Sequence, residues 1–259
     1  MYKKPLILVT NDDGISAPGI RKLIEIMNEI GDTVVVAPDT PRSAMGHAIT
    51  INSPLYYKKI DVPNSTHLEY SCTGTPADCV KLAVNEILDR KPDICVSGIN
   101  HGSNSSINVV YSGTVSAALE AGIQGIQAVG FSLLNYKWNA NFDPISNYVK
   151  TITLNVLKYK IPPEVVLNVN FPNPNEKEIN GIKICRQAKA SWMEEFDKRT
   201  NPMGQDYYWL TGKFINRDNS KDTDEWALRN GYVSVVPVKF DLTSNSTIQF
   251  LKNCNFDEL

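Results

Sequence analysis

The strongest constraint on this chain is a repeated alternation: short runs apolar at every position, followed by segments whose apolar residues recur every three or four positions. A strand buried on both faces of a parallel sheet needs the first pattern, and a helix packed on that sheet needs the second. Pro5 to Val9 (PLILV) precedes Pro18 to Ile30, which sets Ile20, Leu23, Ile24, Met27 and Ile30 on one helical stripe and stops at Gly31, a candidate C-cap. Thr33 to Pro38 (TVVVAP), Asp93 to Asn100 (DICVSGIN) and Ile126 to Leu133 (IQAVGFSL) repeat the strand pattern, with the helix GTVSAALEAG between the last two. Right-handed crossovers return such helices to both faces of the sheet. The expected fold is α/β, a Rossmann-like three-layer αβα parallel sheet.

Two stretches interrupt the alternation. Ser53 to Ile60 and His67 to Cys72 read as a hairpin around a turn at Pro63 and Asn64. Thr75 then opens a helix reaching Leu88, with Pro76 at the first helical position and Asp78 three residues after the cap. Asp143 to Tyr159 reads as an amphipathic helix and Val165 to Phe171 as a returning strand. From about Asn173 the chain is richer in Trp, Tyr, Asn and Asp, with DYYWL and YVSVVPVKF as strands on either side of a helical DTDEWALRNG. Residues 1–172 are therefore expected to form a catalytic core with an inserted β-hairpin. Residues 173–259 form a C-terminal β-rich extension, an oligomerisation arm that returns to the core.

With 259 residues, 42% of them hydrophobic, the chain can bury a sizeable core. A formal net charge of -2 and no block of Lys or Arg argue against a nucleic-acid duplex or an anionic membrane as partner. The N-terminal apolar run ends at Thr10, too short for a secretory leader, and no later stretch has the length of a membrane span. Five cysteines without a CxxC pair fit neither a disulfide framework nor a zinc cluster, so a reducing, cytoplasmic compartment is expected.

In open α/β sheets ligands bind beyond the carboxyl ends of the strands, which directs attention to the loops there. After the first strand stands Asn11-Asp12-Asp13-Gly14, where two adjacent carboxylates repel each other and resist desolvation. Gly14 lets the backbone turn so that both face one point, although the same four residues also describe a turn with a helix cap. Ser43 in the second loop and Asn100 in the third would complete an all-oxygen, doubly negative donor set suited to Mg²⁺ or Mn²⁺. Ser112, Gly113 and Thr114 open a helix of small residues, either a simple capped start or a phosphate cradle facing the same mouth. Gly46 and His47 lie in the second loop as further substrate contacts, and His47 is a candidate proton donor to a leaving oxygen. His67 reads as structural, and the four tryptophans as core residues by default or as contacts to a base.

These segments resemble a known family. ILVTNDDGISAPGI, VVVAPDTPRSAMGHAIT, CTGTPADCVKLA, VSGINHGSN, YSGTVSAALEAG and RNGYVSVVPVKFDLT follow, in order and over essentially the whole chain, the motifs of the survival protein SurE family of metal-dependent 5′/3′-nucleotidases. The resemblance implies a nucleoside monophosphate substrate, one divalent cation, Mg²⁺ or Mn²⁺, per subunit, and a homodimer or homotetramer with an exchanged extension. It puts the metal ligands at Asp12, Asp13, Ser43 and Asn100, and the phosphate side at Asn104, Ser112, Gly113 and Thr114. Asn11, Asp12 and Asp13 form the expected catalytic group, with Asn11 orienting the loop or contacting phosphate. After Asn104 the family commonly shows glycine and acidic residues, where this chain has Ser105-Ser106-Ile107-Asn108. His101 stands where arginine is common and is assigned no role.

Other chemistries match less well. A phosphatase with an aspartate nucleophile wants its acids on alternate residues, and a dinucleotide oxidoreductase wants G-x-G-x-x-G after the first strand. A non-catalytic nucleotide-binding regulatory module is the alternative of a different class.

Overall fold

β1 (Leu6–Thr10) turns Ile7 and Val9 to one side of the sheet and Leu8 to the other, and each joins a separate apolar core. That double burial explains the unbroken apolar run. The computed structural model describes residues 4–254; residues 1–3, with the start of the stretch weighed as a leader, and 255–259, the end of the extension, lie outside the described residues.

After β1 come α1 (Pro18–Asn28), β2 (Asp32–Pro38), the antiparallel pair β3 (Tyr57–Ile60) and β4 (Leu68–Cys72), and α2 (Pro76–Leu82). Then follow β5 (Ile94–His101), α3 (Gly113–Ile123), β6 (Gln127–Leu133), α4 (Ser146–Tyr159) and β7 (Val165–Phe171). The extension adds β8 (Ile182–Ile184), β9 (Ala190–Thr200), β10 (Asp206–Asn216), α5 (Asp224–Arg229), β11 (Val233–Lys239) and α6 (Asn245–Asn253).

Nine strands form one sheet in the order β3-β4-β2-β1-β5-β6-β7-β11-β8. The six from β4 to β7 are parallel, while β3 and β11 run antiparallel to β4 and β7. The expected parallel sheet is thus mixed at its edges. α1 and α4 bury Leu23, Met27, Val149 and Ile152 on one face; α2 and α3 bury Val80, Ala117, Ala118 and Ala121 on the other. From β1 the chain moves outward through β2 to β4, then restarts at β5 and moves the opposite way. β1 and β5 therefore flank a topological switch point, where an open α/β sheet splits at its carboxyl end to form a crevice.

Local signals explain most boundaries. Thr75 Oγ1 accepts from the Asp78 N–H, and the Asp78 carboxylate accepts from the Thr75 N–H, the capping box its spacing implies. Beyond Leu82 that helix widens into a π turn over Ala83–Ile87. Gly31 corrects the sequence reading. Glu29 is the C-cap, in right-handed conformation, and Gly31 is needed because a Cβ there would lie 2.3 Å from the Pro5 carbonyl oxygen. β8, β9 and α6 have no counterpart in the sequence reading, and β10 runs six residues beyond the expected DYYWL segment. Among the described residues β9 and β10 pair only with each other, as a long antiparallel arm.

Candidate active site

The loop after β1 is a locked turn. Asn11 Nδ2 donates to the Gly14 carbonyl at 2.9 Å, Gly14 takes φ +94°, and the Ile15 N–H bonds the Pro38 carbonyl at the end of β2. Asn11 thus braces the turn, and its Oδ1 is buried without a partner.

Asp12 is 4% exposed and lies directly against the start of α3. Thr114 Oγ1 donates to its Oδ1 at 2.5 Å, and a Cβ on Gly113 would fall 2.7 Å from the Asp12 Cβ. Only glycine lets the helix end approach so closely. Ser112 caps α3 by accepting from the Val115 N–H, which leaves its own hydroxyl proton to donate, whereas the Thr114 hydroxyl is spent on Asp12. The helix also offers an anion the first-turn N–H groups that the cap does not take and the positive end of its dipole.

Asp13 faces the loop after β5. Its Oδ2 accepts from the His101 N–H at 3.1 Å and lies 3.0 Å from His101 Nδ1. His101 is sandwiched: its ring stacks on Trp138 at 5.6 Å and meets Phe142 edge-on at 5.1 Å. Sequence reasoning gave His101 no role and left Trp138 by default in the core. No local signal connects two residues 37 positions apart; only the loop after β6, folding back over the loop after β5, brings them together.

Asn100 precedes His101, and its Nδ2 donates to the Gly102 carbonyl, which leaves Oδ1 for another partner. The second loop docks on the first: the Arg42 N–H bonds the Asp12 carbonyl at 2.7 Å, and Gly46, at φ +54°, bonds the Tyr111 carbonyl. Ser43, next to Arg42, is exposed, and among the described residues no hydrogen bond joins it to either aspartate. His47 Nε2 lies 3.0 Å from Glu120 Oε2, and Lys81 donates to the other oxygen of Glu120 at 2.8 Å. Burial pushes Glu120 up, but these hydrogen bonds outweigh it and hold the carboxyl at about 2.

Asn104 is held by three hydrogen bonds. Its Nδ2 donates to Ser132, its N–H to Asn170 Oδ1, and its carbonyl accepts from Asn168, so it ties the loop to the ends of β6 and β7. His67 is structural, lying 2.6 Å from Glu69, which also takes a bidentate pair from Arg21. The tryptophans correct the core expectation: Trp138, Trp192 and Trp209 are exposed and Trp226 is half-buried.

The electrostatics of the pair fit a divalent cation. Burial, and then the charge of Asp13, push Asp12 up to about 6, against the Thr114 hydrogen bond. Among the described residues no lysine or arginine forms an ion pair with either aspartate. An all-oxygen, negatively charged set built around the buried Asp12, with an orphaned Asn11 oxygen beside it, suits a hard cation. An acidic pair at the switch point of a doubly wound sheet, its buried member Asp12 facing a helix N-terminus, defines the class: α/β proteins with a crevice suited to a cation and an anionic group.

Comparison with known proteins narrows that class. Residues 7–194 match the family described as Survival protein SurE. A protein of Flavobacterium johnsoniae named 5′-nucleotidase SurE is 71% identical over 249 residues, covering 96% of each chain. One of the same name from Flavobacterium psychrophilum is 67% identical, over 98% of this chain and 99% of its own. The crystal structure of SurE protein from Aquifex aeolicus superposes with a TM-score of 0.83 at 41% identity, covering 96% of this chain. The chain belongs to the survival protein SurE family.

Proposed function

We propose that this chain is a 5′-nucleotidase, a phosphoric monoester hydrolase that converts nucleoside monophosphates to nucleoside and inorganic phosphate. The observation that carries this reading is the buried Asp12 held against the N-terminus of α3, with the half-buried Asp13 next to it in the same turn. The 5′-nucleotidase names of relatives up to 71% identical support it.

Asp12, Asp13, Ser43 and Asn100 would hold one Mg²⁺ or Mn²⁺ per subunit. When bound, such a cation supplies a Lewis acid for a phosphate oxygen and an acidified water. Asn11 braces, through Gly14, the turn that carries both carboxylates. The first-turn N–H groups of α3, brought close by Gly113, favour the charge that collects on the phosphate oxygens. In the reaction water adds to phosphorus, the bond from phosphorus to the ribose oxygen breaks, and that oxygen takes up a proton. Water or His47, held at Nε2 by Glu120, supplies that proton. Positioning and charge stabilisation are most of what a protein contributes to this chemistry.

The arm of β9 and β10 exposes Phe196, Tyr208, Trp209 and Leu210, and we assign it to subunit association in a homodimer or homotetramer. No helix among the described residues is long and apolar enough to cross a membrane. Cys72, Cys79, Cys95, Cys185 and Cys254 are all free thiols, which supports a reducing cytoplasm.

The test is phosphate release from AMP, GMP and p-nitrophenyl phosphate by chelator-stripped protein, with Mg²⁺ or Mn²⁺ restored, beside Asp12→Asn. Metal-restored release that the variant lacks is expected; a variant as active as the parent at saturating metal would refute the assignment.

A further inference from the structure

A cavity of about 460 Å³ is lined in part by the loop that follows Asn100. Its walls include Ser103, Asn108, Tyr136, Trp192, Phe214 and Leu228. Ser103 is three residues from Asn100, so the cavity lies at most about 10 Å of chain from a candidate ligand of the cation. Tyr136 presses on the same loop: a Cβ on Gly102 would fall 2.3 Å from its ring, and the Ser103 N–H points to its hydroxyl at 3.4 Å. Loop and cavity wall are one piece.

The extension adds Trp192 and Phe214 to the lining and holds them in place. Trp192 Nε1 donates to Asn108 Oδ1 at 2.7 Å, which fixes the plane of the indole, and Phe214 meets that ring edge-on at 5.6 Å. Ser105 donates to Glu225 at 2.5 Å and the Ser106 N–H to Asp224 at 2.8 Å, so the stretch after Asn104 is clamped to α5. These contacts pre-form the cavity.

We infer that this cavity receives the nucleoside part of the substrate, its base lying on the aromatic lining of Trp192, Phe214 and Tyr136 while the phosphate sits at Asp12 and Asp13. The inference rests on the nucleotidase reading and adds to it where specificity is read. Three rings in the lining suit a flat heterocycle, and the volume lies within the range of small-molecule sites. The charge lining the cavity is balanced: Glu176 and Glu225 stand against Lys177 and Arg229, and the Lys177 ammonium is already bound to the Arg229 carbonyl. A neutral nucleoside suits that lining, whereas a chain of further phosphates would want an excess of cations. Aromatic stacking accepts any base, so a broad base preference follows. The root of the arm thereby serves the active site as well as association.

The test compares two esters, AMP and glycerol phosphate, which has no base. In Trp192→Ala, kcat/KM for AMP is expected to fall about tenfold further than for glycerol phosphate, mainly through KM, the worth of one stacked base. Trp192→Phe should recover most of that difference. Equal losses on both esters, or none, would overturn the inference while leaving the hydrolase intact. Should Trp192→Ala fail to fold, the wild type decides: adenosine is expected to inhibit AMP hydrolysis competitively, and no inhibition would refute the cavity. Absence of phosphate release by the wild type from either ester would defeat the nucleotidase reading, and this inference with it.

Discussion

At the scale of single residues, the site depends on how closely Asp12 and Gly113 approach. The Cβ of an alanine at position 113 would lie 2.7 Å from the Asp12 Cβ, and neither the buried carboxylate nor the helix start has room to yield. Gly113→Ala is expected to cost about 1–3 kcal/mol of stability, as overpacking does, and to lower turnover more than tenfold; thermal unfolding and AMP hydrolysis measure the two. The acidic pair was legible in the sequence because its signal is local, with two charges and a glycine directly after an apolar strand. His101 was not. Its contacts run to Asp13 across the switch point and to Trp138 in the loop after β6, and such tertiary neighbours leave no spacing to read. The hydroxyls of Ser112 and Thr114 were legible as groups at a helix start, but their partners, the Val115 N–H and Asp12, emerge only in three dimensions.

At the scale of elements, α3 organises the site through both its ends. Its first turn meets Asp12, and Glu120 in its last turn holds His47 and so the loop that carries Ser43 and Gly46. Because Glu120 sits at about 2, below its ordinary 4.5, the stabilisation it brings is complete above pH 4.5 and is lost as pH falls toward 2. Unfolding temperatures of wild type and Glu120→Gln should therefore differ most near neutral pH, by about 2–4 °C for each kcal/mol, and converge in acid. A gap independent of pH would contradict the role of that carboxylate. Elements with an apolar face toward a core were readable from period alone, as the stripe of α1 illustrates. β9 and α6 were not, since neither presents a buried face and their composition resembles that of a polar loop. Gly31 was legible as a stop, but for a different reason: the close passage of Pro5 replaces the left-handed turn that glycine usually signals.

At the scale of the whole molecule, the doubly wound sheet brings the loops after β1, β2 and β5 to one crevice, while the extension adds β11 and β8 to the sheet and sends out the two-stranded arm of β9 and β10. The arm's exposed aromatic residues are costly in an isolated subunit, so its tip should be essential for association. Replacing residues 196–210 by a short turn, with Trp192 and Phe214 retained, is expected to lower the mass seen in sedimentation to that of a single chain; an unchanged mass would contradict the assignment. All of this chemistry depends on the claim that the acidic pair at the switch point binds a cation. The most direct measurement is a Mn²⁺ titration followed by electron paramagnetic resonance, comparing chelator-stripped wild type with Asp12→Asn. Saturation at one ion per chain in the wild type, with weaker or absent binding in the variant, is the expected result; equal binding by both proteins would contradict the claim.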